Sequence, residues 1–193
     1  AVYDTAADNR LVTEEQIGLR MGKDDHSFCK YVVHKRIEHI KNAVDLNIFG
    51  IFGKYEDWEI RFISNACCKA LFDMPITLRQ NRRFSYLYAP DLMPVLDYFI
   101  EHEPKFKCYN VVPDAETELL QAAQTVLEVS GKDLPIKVAR AGYGLNYSGS
   151  NARLRKDIPS LCFTPLKQAI ADLFSFYCEN KKQFNYNLLL RDK

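Results

Sequence analysis

Residues 44–53, Val-Asp-Leu-Asn-Ile-Phe-Gly-Ile-Phe-Gly, are the stretch that decides the fold class. This short apolar run is closed by two glycines, a pattern that predicts a buried strand leading into a loop. The residues before it, 26–43, carry apolar side chains at spacings of three and four, which is typical of an amphipathic helix. These apolar positions are Phe28, Val32, Val33, Ile37 and Ile40. A helix followed by a buried strand indicates an α/β fold.

The same alternation continues along the rest of the chain. Apolar periodicity predicts helices over residues 58–73, 91–103, 116–129 and 165–177. Short β-branched and aromatic runs predict strands over residues 76–78, 83–88, 107–112 and 135–141. We expect a polar turn at 79–82 and one long irregular segment at 142–156, rich in Gly, Ser, Asn and Arg. These strands are too few for a complete doubly wound sheet.

Composition excludes several classes of protein. With 47% apolar and 12% aromatic side chains, the chain can bury a core and is not expected to be disordered. Its 26 Lys and Arg against 25 Asp and Glu leave a net charge of +1, which is too little basic excess for a nucleic-acid-binding protein. No apolar run approaches the roughly 20 residues that span a bilayer, and the first residues do not resemble a signal peptide. We therefore expect a soluble, cytoplasmic protein with neither nucleic-acid nor membrane partners.

The cysteines and histidines do not predict a metal centre. None of the six cysteines forms a Cys-x-x-Cys pair, and Cys67 and Cys68 are adjacent on a predicted helix, so neither a zinc site nor a disulfide framework fits. We expect the cysteines to be small buried side chains in a reducing compartment. His34, His39 and His102 lie among charged residues on helical stretches, and we expect them on the solvated surface.

A Gly-rich phosphate-binding loop is absent from the sequence. The nearest candidate, Gly142-Tyr143-Gly144, lacks a third glycine at the required offset and opens no predicted helix. Taken alone, the chain therefore carries no nucleotide-binding fingerprint.

Several short segments are weak signals singly but form a specific set in their order and spacing. They read Ala-Val-Tyr-Asp at 1–4, Asp-Asp-His-Ser-Phe-Cys-Lys-Tyr at 24–31, Leu-Asn-Ile-Phe-Gly-Ile-Phe-Gly at 46–53, Ser-Tyr-Leu-Tyr-Ala-Pro-Asp-Leu at 85–92, Tyr-Asn-Val at 109–111 and Tyr-Ser-Gly-Ser-Asn-Ala-Arg-Leu at 147–154. This set resembles the C-terminal half of an extended short-chain dehydrogenase/reductase, in the NAD-dependent nucleotide-sugar epimerase/dehydratase group. The resemblance implies the C-terminal portion of a Rossmann-type fold with a small α/β substrate-binding subdomain.

The resemblance implies an acid/base centre on the first long helix. In this family a Tyr phenol exchanges a proton with the sugar hydroxyl while hydride passes to or from the cofactor. A Lys four residues later on the same helix face lowers the pKa of that Tyr and holds the nicotinamide ribose hydroxyls. By position, Lys30 takes the Lys role and His26 stands where the family carries Tyr, while the family's Ser or Thr partner would lie just before Ala1. An imidazole can act as a base but is shorter than a phenol. His26 therefore indicates lost or reduced activity, a substituted base, or a residue with no chemical role.

The resemblance also implies NAD or NADP as cofactor and a nucleotide-diphosphate sugar as substrate. The implied cofactor-binding residues are Lys30, Phe49, Gly50 and Ile51, and the implied substrate-binding residues are Arg61, Phe62, Asn65, Asn151 and Arg153. Arg61 and Arg153 are the expected diphosphate ligands, because a planar guanidinium donates two parallel hydrogen bonds to anionic oxygens.

The resemblance divides the chain into two parts. Residues 1–57 would be the end of the Rossmann-like part, with the catalytic helix and the following strand. Residues 58–193 would be mainly substrate-binding, with a strand and helix near 85–113 returning to the Rossmann part.

Three functional hypotheses follow from these observations. The first is the C-terminal portion of a nucleotide-sugar epimerase, dehydratase or reductase, which would be inactive alone. This portion would associate with a missing N-terminal half or form a homodimer through helix 26–43. It predicts a sheet that lacks its early parallel strands and exposes an apolar edge. The second is a binding or assembly protein on the same scaffold, with His26 marking decay of the active centre. The third is an unrelated small α/β domain.

Overall fold

The computed structural model describes Tyr3, residues 10–19 and residues 24–190. Of the segment that resembles the family's Ser-bearing strand, Ala1, Val2 and Asp4 lie outside the described residues.

Helices and short strands alternate along these described parts of the chain. The helices are α1 Asp25–Ile37, α2 Phe62–Leu71, α3 Met93–Glu101, α4 Leu119–Ser130, α5 Ala152–Asp157, α6 Leu166–Glu179 and α7 Tyr186–Leu189. The strands are β1 Asp45–Asn47, β2 Gly50–Phe52, β3 Ile76–Asn81, β4 Arg83–Phe84, β5 Tyr86–Tyr88, β6 Cys108–Asn110, β7 Thr117–Glu118 and β8 Ile136–Tyr143. Single 3₁₀ turns lie at Glu14–Gln16, Ala89–Leu92 and Lys181–Gln183. The predicted α/β class is confirmed.

The strands pair in twos, and most of the pairs are parallel. Strands β1 and β6 pair in parallel, as do β2 with β5 and β3 with β8, whereas β4 and β7 are antiparallel. Parallel pairing requires crossover connections, and the helices of this chain supply them.

The run over 44–53, predicted as one strand, is two strands with different partners. Asp45–Asn47 pairs with Cys108–Asn110, whereas Gly50–Phe52 pairs with Tyr86–Tyr88. The intervening Ile48 and Phe49 belong to neither ladder. The prediction of a single strand was wrong because a continuous apolar run carries no signal for where its hydrogen-bonding partner changes.

The polar turn predicted at 79–82 was also wrong. Strand β3 continues through Arg79 and Gln80 to Asn81, in parallel register with β8. The β3–β8 pair is a two-stranded sheet, and Arg79 is exposed while Ile76 and Leu78 are buried. A strand with one solvated face accommodates polar side chains, so polarity alone does not identify a turn here.

Most buried apolar side chains of the described residues belong to two hydrophobic cores, and a smaller cluster around Tyr3 and Val12 includes Phe49 and Tyr147. The first is built mainly by α2, α4, α6 and β3. The second surrounds β6, α3 and α5. Strand β5 contributes to both, because Leu87 packs in the second core and Tyr88, the next residue, packs in the first.

Helix α1 is shorter than predicted, and its apolar side chains are exposed. The Asp24 carboxylate caps the N-terminus by accepting a 2.9 Å hydrogen bond from the Ser27 backbone N–H, and the helix ends at Ile37. Phe28, Val32 and Val33 remain 52%, 49% and 57% exposed. This stripe therefore does not pack against the described part of the chain.

Across the described residues we find no helix with the length and apolar character that a bilayer crossing requires.

The first core provides a test of these assignments. Ile170 on α6 is fully buried, whereas Ile100 on α3 is 81% exposed. Because Ile170→Ala leaves a cavity in the core, we expect it to lower the free energy of unfolding by about 2–5 kcal/mol. The same substitution at Ile100 should change it by less than about 0.5 kcal/mol. Urea denaturation followed by circular dichroism measures both values, and equal losses would contradict the assignment of the core.

Candidate functional site

A cleft of about 1140 Å³ opens between α1, the β1–β2 segment, the loop before α2 and strands β4 and β5. It collects most of the residues implied by the family resemblance. The implied residues that line it are His26, Lys30, Phe49, Gly50, Ile51, Arg61 and Phe62. Residues far apart in sequence therefore meet at one surface.

Helix α1 presents His26 and Lys30 to this cleft from adjacent turns. A separation of four residues places both side chains on the same helix face. Both are exposed, and within the described residues Lys30 forms no ion pair. The Lys30 ammonium is therefore available to a ligand.

Phe49 lies where β1 and β2 part, and close packing holds it there. Its ring stacks on Tyr3 with centroids 5.2 Å apart and lies 4.8 Å from the ring of Tyr147. A Cβ atom on Gly149 would meet the Phe49 ring at 2.7 Å, so only glycine fits that position without a shift. The aromatic ring thus forms a rigid part of the cleft wall.

Gly50 brings the backbone of β2 close to β5. A Cβ atom at this position would lie 3.1 Å from the Tyr86 ring, and the Gly50 N–H donates a 3.1 Å hydrogen bond to the Ser85 carbonyl. Ile51, the next residue, is 40% exposed. The absence of a side chain at Gly50 therefore lets the Tyr86 ring pack directly against the backbone of β2.

Two arginines line the cleft in addition to Lys30. Arg61 is exposed at the N-cap of α2, and Arg82 lies between β3 and β4. The Arg82 guanidinium carbon sits 4.2 Å from the centroid of the Phe84 ring, a cation–π contact. Burial lowers the pKa of Arg82, and among the described residues no carboxylate pairs with it or with Arg61. Two guanidinium groups without acidic partners make this end of the cleft suited to an anion.

The position of Arg82 in the cleft is not predicted from the sequence. The only available signal was its position in the Arg82-Arg83-Phe84 run beside the segment at 85–92 that resembles the family. Its neighbour Arg83 instead pairs with Glu116 and Glu118, each at 3.3 Å. Which of two adjacent arginines faces the cleft is set by the alternation of side chains along the strand.

A carboxyl group, Glu56, also lines the cleft and was not predicted. The Ser64 hydroxyl donates a hydrogen bond to Glu56 Oε1. Burial raises the pKa of Glu56 to about 7, against the smaller opposing effects of this hydrogen bond, of the Gly53 backbone and of Arg61. The group therefore exchanges a proton near neutral pH.

Three of the implied substrate residues do not line the cleft. The Asn65 side-chain amide donates to the carbonyls of Trp58 and Glu59, and that of Asn151 donates to Val112 and Asp114. Arg153 forms a 2.6 Å ion pair with Glu15 and a 3.8 Å contact with Glu14. Each side chain is occupied by a structural contact, and for Arg153 the partners stand more than 130 positions earlier in the chain.

The expectation for His34 is corrected by the structure. His34 is buried at 6% exposure, and its Nδ1 lies 2.7 Å from Asp45 Oδ2 at the start of β1. His39 and His102 are exposed, as predicted. The sequence shows only the charged neighbours of His34 on its own helix, not the strand beneath it.

The cysteines are also only partly as predicted. Cys67, Cys68 and Cys108 are buried, whereas Cys29, Cys162 and Cys178 are exposed. Burial raises the pKa of the Cys68 thiol and that of the Cys108 thiol, each to about 12, so both remain protonated.

Within the described residues, donor atoms of His34, Asp45 and Cys108 lie within 4.8 Å of one another. The 2.7 Å separation of His34 and Asp45 is that of a hydrogen-bonded pair, shorter than the roughly 3.3 Å between ligands of a tetrahedral zinc.

The fold matches solved structures over nearly the whole chain. A GDP-L-fucose synthetase from Naegleria fowleri bound to NADP aligns with a TM-score of 0.78 at 14% identity, covering 94% of this chain and 62% of that protein. The UDP-glucose 4-epimerase of Thermotoga maritima, with UDP-glucose, gives 0.77 at 13% identity, covering 94% and 61%. A dTDP-glucose 4,6-dehydratase from Bacillus anthracis in complex with NAD gives 0.80 at 15% identity, covering 97% and 61%.

These likenesses are likenesses of fold. They confirm the predicted fold class, the C-terminal part of the extended short-chain dehydrogenase/reductase fold, and they argue against an unrelated α/β domain. This chain spans about 60% of the length of those proteins. At the level of sequence, no protein-family model and no curated protein matches it.

The raised pKa of Glu56 predicts how its replacement affects stability. Between the pKa of about 4.5 of an unfolded Glu and the folded value of about 7, the folded state holds a proton that the unfolded state releases, so wild-type stability falls as pH rises. Glu56→Gln keeps the shape without the charge. We expect this variant to match the wild type near pH 4.5 and to exceed it at pH 8 by an amount on the order of 2 kcal/mol.

Urea denaturation at pH 5 and pH 8 measures this difference. Glu103→Gln, at an exposed position, is the matched control and should show no such growth with pH. A Glu56→Gln effect that is the same at both pH values would contradict the buried, proton-carrying state of Glu56.

Proposed function

We propose that this chain is the substrate-binding part, with a portion of the catalytic centre, of an NAD(P)-dependent enzyme that modifies nucleotide sugars. The observation that carries the proposal is the meeting of His26 and Lys30 with the Phe49-Gly50-Ile51 segment in one cleft that also holds Arg61 and Arg82. The chemistry of each group suits one part of such a reaction. The solved structures that share the fold are named as a synthetase, an epimerase and a dehydratase that handle nucleotide sugars.

The residues present fit the nicotinamide end of the cofactor. Lys30 offers an ammonium without an ion pair among the described residues, and Phe49 and Gly50 line the same cleft. When bound, NAD(P) supplies the group that accepts or donates hydride. The sequence contains no Gly-rich loop for the adenosine diphosphate end. The proposal therefore requires a further segment or a partner chain for that end, and it assigns no activity to this chain alone.

His26 decides between an active and a decayed centre. In the proposal it occupies the position of the family's proton-transferring Tyr, one turn before Lys30 and on the same face. An imidazole can carry out that transfer near neutral pH. The alternative, a binding or assembly protein that has lost catalysis, is favoured by the same substitution, because a shorter ring places its nitrogen elsewhere than a phenolic oxygen.

Arg61 and Arg82 are the proposed ligands of the substrate diphosphate. Arg82 takes the role that the family resemblance implied for Arg153, whose guanidinium is paired with Glu15. The partial desolvation of Arg82 strengthens a charge-assisted hydrogen bond to a phosphate oxygen, since competing water is excluded.

The remaining proposals concern assembly and location. We retain the division into a Rossmann-like part up to residue 57 and a mainly substrate-binding part from residue 58. The exposed apolar stripe of α1 suits burial against a second copy or against the rest of the protein. Within the described residues β1 pairs on one side only, with β6, as expected for a sheet continued elsewhere. We place the protein in the cytoplasm.

The Lys30 role is tested in the protein with its full natural chain. Lys30→Met removes the ammonium from the cleft, and we expect it to lower NAD(P)-dependent conversion of nucleotide sugars by about 100-fold or more. Lys35→Met is the matched control on the same helix, outside the cleft, and should retain activity. Products are separated chromatographically from a panel of nucleotide sugars. Equal activity of the two variants would contradict the assignment.

His26→Tyr separates the two functional alternatives in the same assay. If the wild type turns over and the variant is slower, His26 is the working base. If the wild type is inactive and the variant gains turnover, the centre has decayed.

The diphosphate site is tested by binding. Arg82→Gln removes a charge and two hydrogen-bond donors, so we expect it to weaken binding of UDP, GDP or dTDP by about tenfold or more, measured by isothermal titration calorimetry. Arg79→Gln removes the same charge from an exposed position outside the cleft and should leave the affinity within about twofold. A similar loss in both variants would indicate a general charge effect and contradict a specific site.

A further inference from the structure

Glu56 is a carboxyl group in the wall of the cleft, where a hydrogen bond from Ser64 holds it. It lies on the loop between β2 and α2, and the Ser64 hydroxyl donates to its Oε1 from the first turn of α2. Ser64 belongs to a helix and is fully buried. The carboxyl group therefore has a defined position relative to Arg61 and Phe62, which line the same wall.

The surroundings of Glu56 favour its neutral form. Among the described residues it forms no ion pair, and Arg61 only partly offsets the burial that raises its pKa. The other groups that face it are acidic or weakly acidic: Asp57 raises the pKa of Glu56, and the charge of Glu56 in turn raises the pKa values of Tyr86, Tyr177 and Cys67. A buried carboxyl group without a cation is costly to keep, and such groups are concentrated at functional sites.

A purely structural role does not require a carboxyl group here. The hydrogen bond from Ser64 needs only an acceptor, which an amide would supply without the cost of a buried charge. A protonated carboxyl donates one hydrogen bond and accepts others, as an amide does, but it loses its donor when it ionises, so its contacts depend on pH. Sugar hydroxyl and keto oxygens are the partners that this combination suits.

We propose that Glu56 is a substrate-contacting, specificity-determining residue of the cleft, whose protonated carboxyl donates a hydrogen bond to a hydroxyl or keto oxygen of the sugar part of a nucleotide sugar. This inference rests on the proposed function. It also ties substrate binding to pH. An ionised Glu56 loses the donor and adds a negative charge close to the diphosphate that Arg61 and Arg82 hold, so ionisation weakens binding.

The experiment measures affinity against pH, by isothermal titration calorimetry with UDP-glucose, dTDP-glucose and GDP-mannose between pH 6 and pH 8. For the wild type we expect a loss of affinity of about tenfold across this range, as one ionisation near pH 7 requires. Glu56→Gln keeps a donor and an acceptor at all pH values, so its loss should be at least threefold smaller. Because every other residue is the same in both proteins, the difference between the two slopes isolates Glu56.

Two further variants complete the design. Glu103→Gln removes an exposed carboxylate outside the cleft and should keep the wild-type slope. Glu56→Ala loses the hydrogen bond at every pH and should bind weakly throughout, and thermal denaturation checks that each variant is folded. Binding with equal slopes in the wild type and Glu56→Gln would overturn the role of Glu56 and leave the proposed function standing. Absence of binding by every nucleotide sugar at every pH would instead overturn the proposed function, and the ligand assigned to Glu56 with it.

Discussion

The parting of β1 and β2 is the constraint on which the rest of the structure depends. Two consecutive strands of one apolar run pair in parallel with different partners, β6 and β5, so the chain must diverge between Asn47 and Gly50. Phe49 fills the point of divergence between the rings of Tyr3 and Tyr147, and Gly149 lies against its other side. The cleft is the space that this divergence leaves open. The walls of the cleft therefore belong to different strand pairs.

A buried polar network fixes the base of this divergence. The Tyr3 hydroxyl donates a 2.6 Å hydrogen bond to Asn110 Oδ1, the Asn110 N–H donates to Glu14 Oε1 at 2.7 Å, and Asn47 donates to the Cys108 sulfur at 2.9 Å. Each bond joins residues that are distant in sequence. Directional hydrogen bonds in a low-dielectric interior specify one arrangement of the strands more narrowly than apolar contacts alone. The open cleft therefore sits above a rigid support.

Local sequence patterns identified the elements well and their long-range partners poorly. The helical stripe over 116–129 and the glycine-ended run over 44–53 were visible because their periodicity is a property of the segment itself. His26 and Lys30 could be placed together because four residues on a helix fix their relation. The burial of Glu56, the lack of an acidic partner for Arg82 among the described residues and the ion pair of Arg153 with Glu15 all depend on other segments. No local sequence pattern therefore predicts them. Glu56 in particular stands in the polar run Lys54-Tyr55-Glu56-Asp57, which looks solvated.

Strand β5 serves both hydrophobic cores, with Leu87 in one and Tyr88 in the other. Two cores that shared nothing would accumulate substitutions independently, and their energetic effects would add. Here a shift of the three-residue strand β5 changes the packing in both cores at once. The effects of substitutions flanking β5 therefore depend on residues in both cores. We expect fewer substitutions to be tolerated at this strand than elsewhere in the fold.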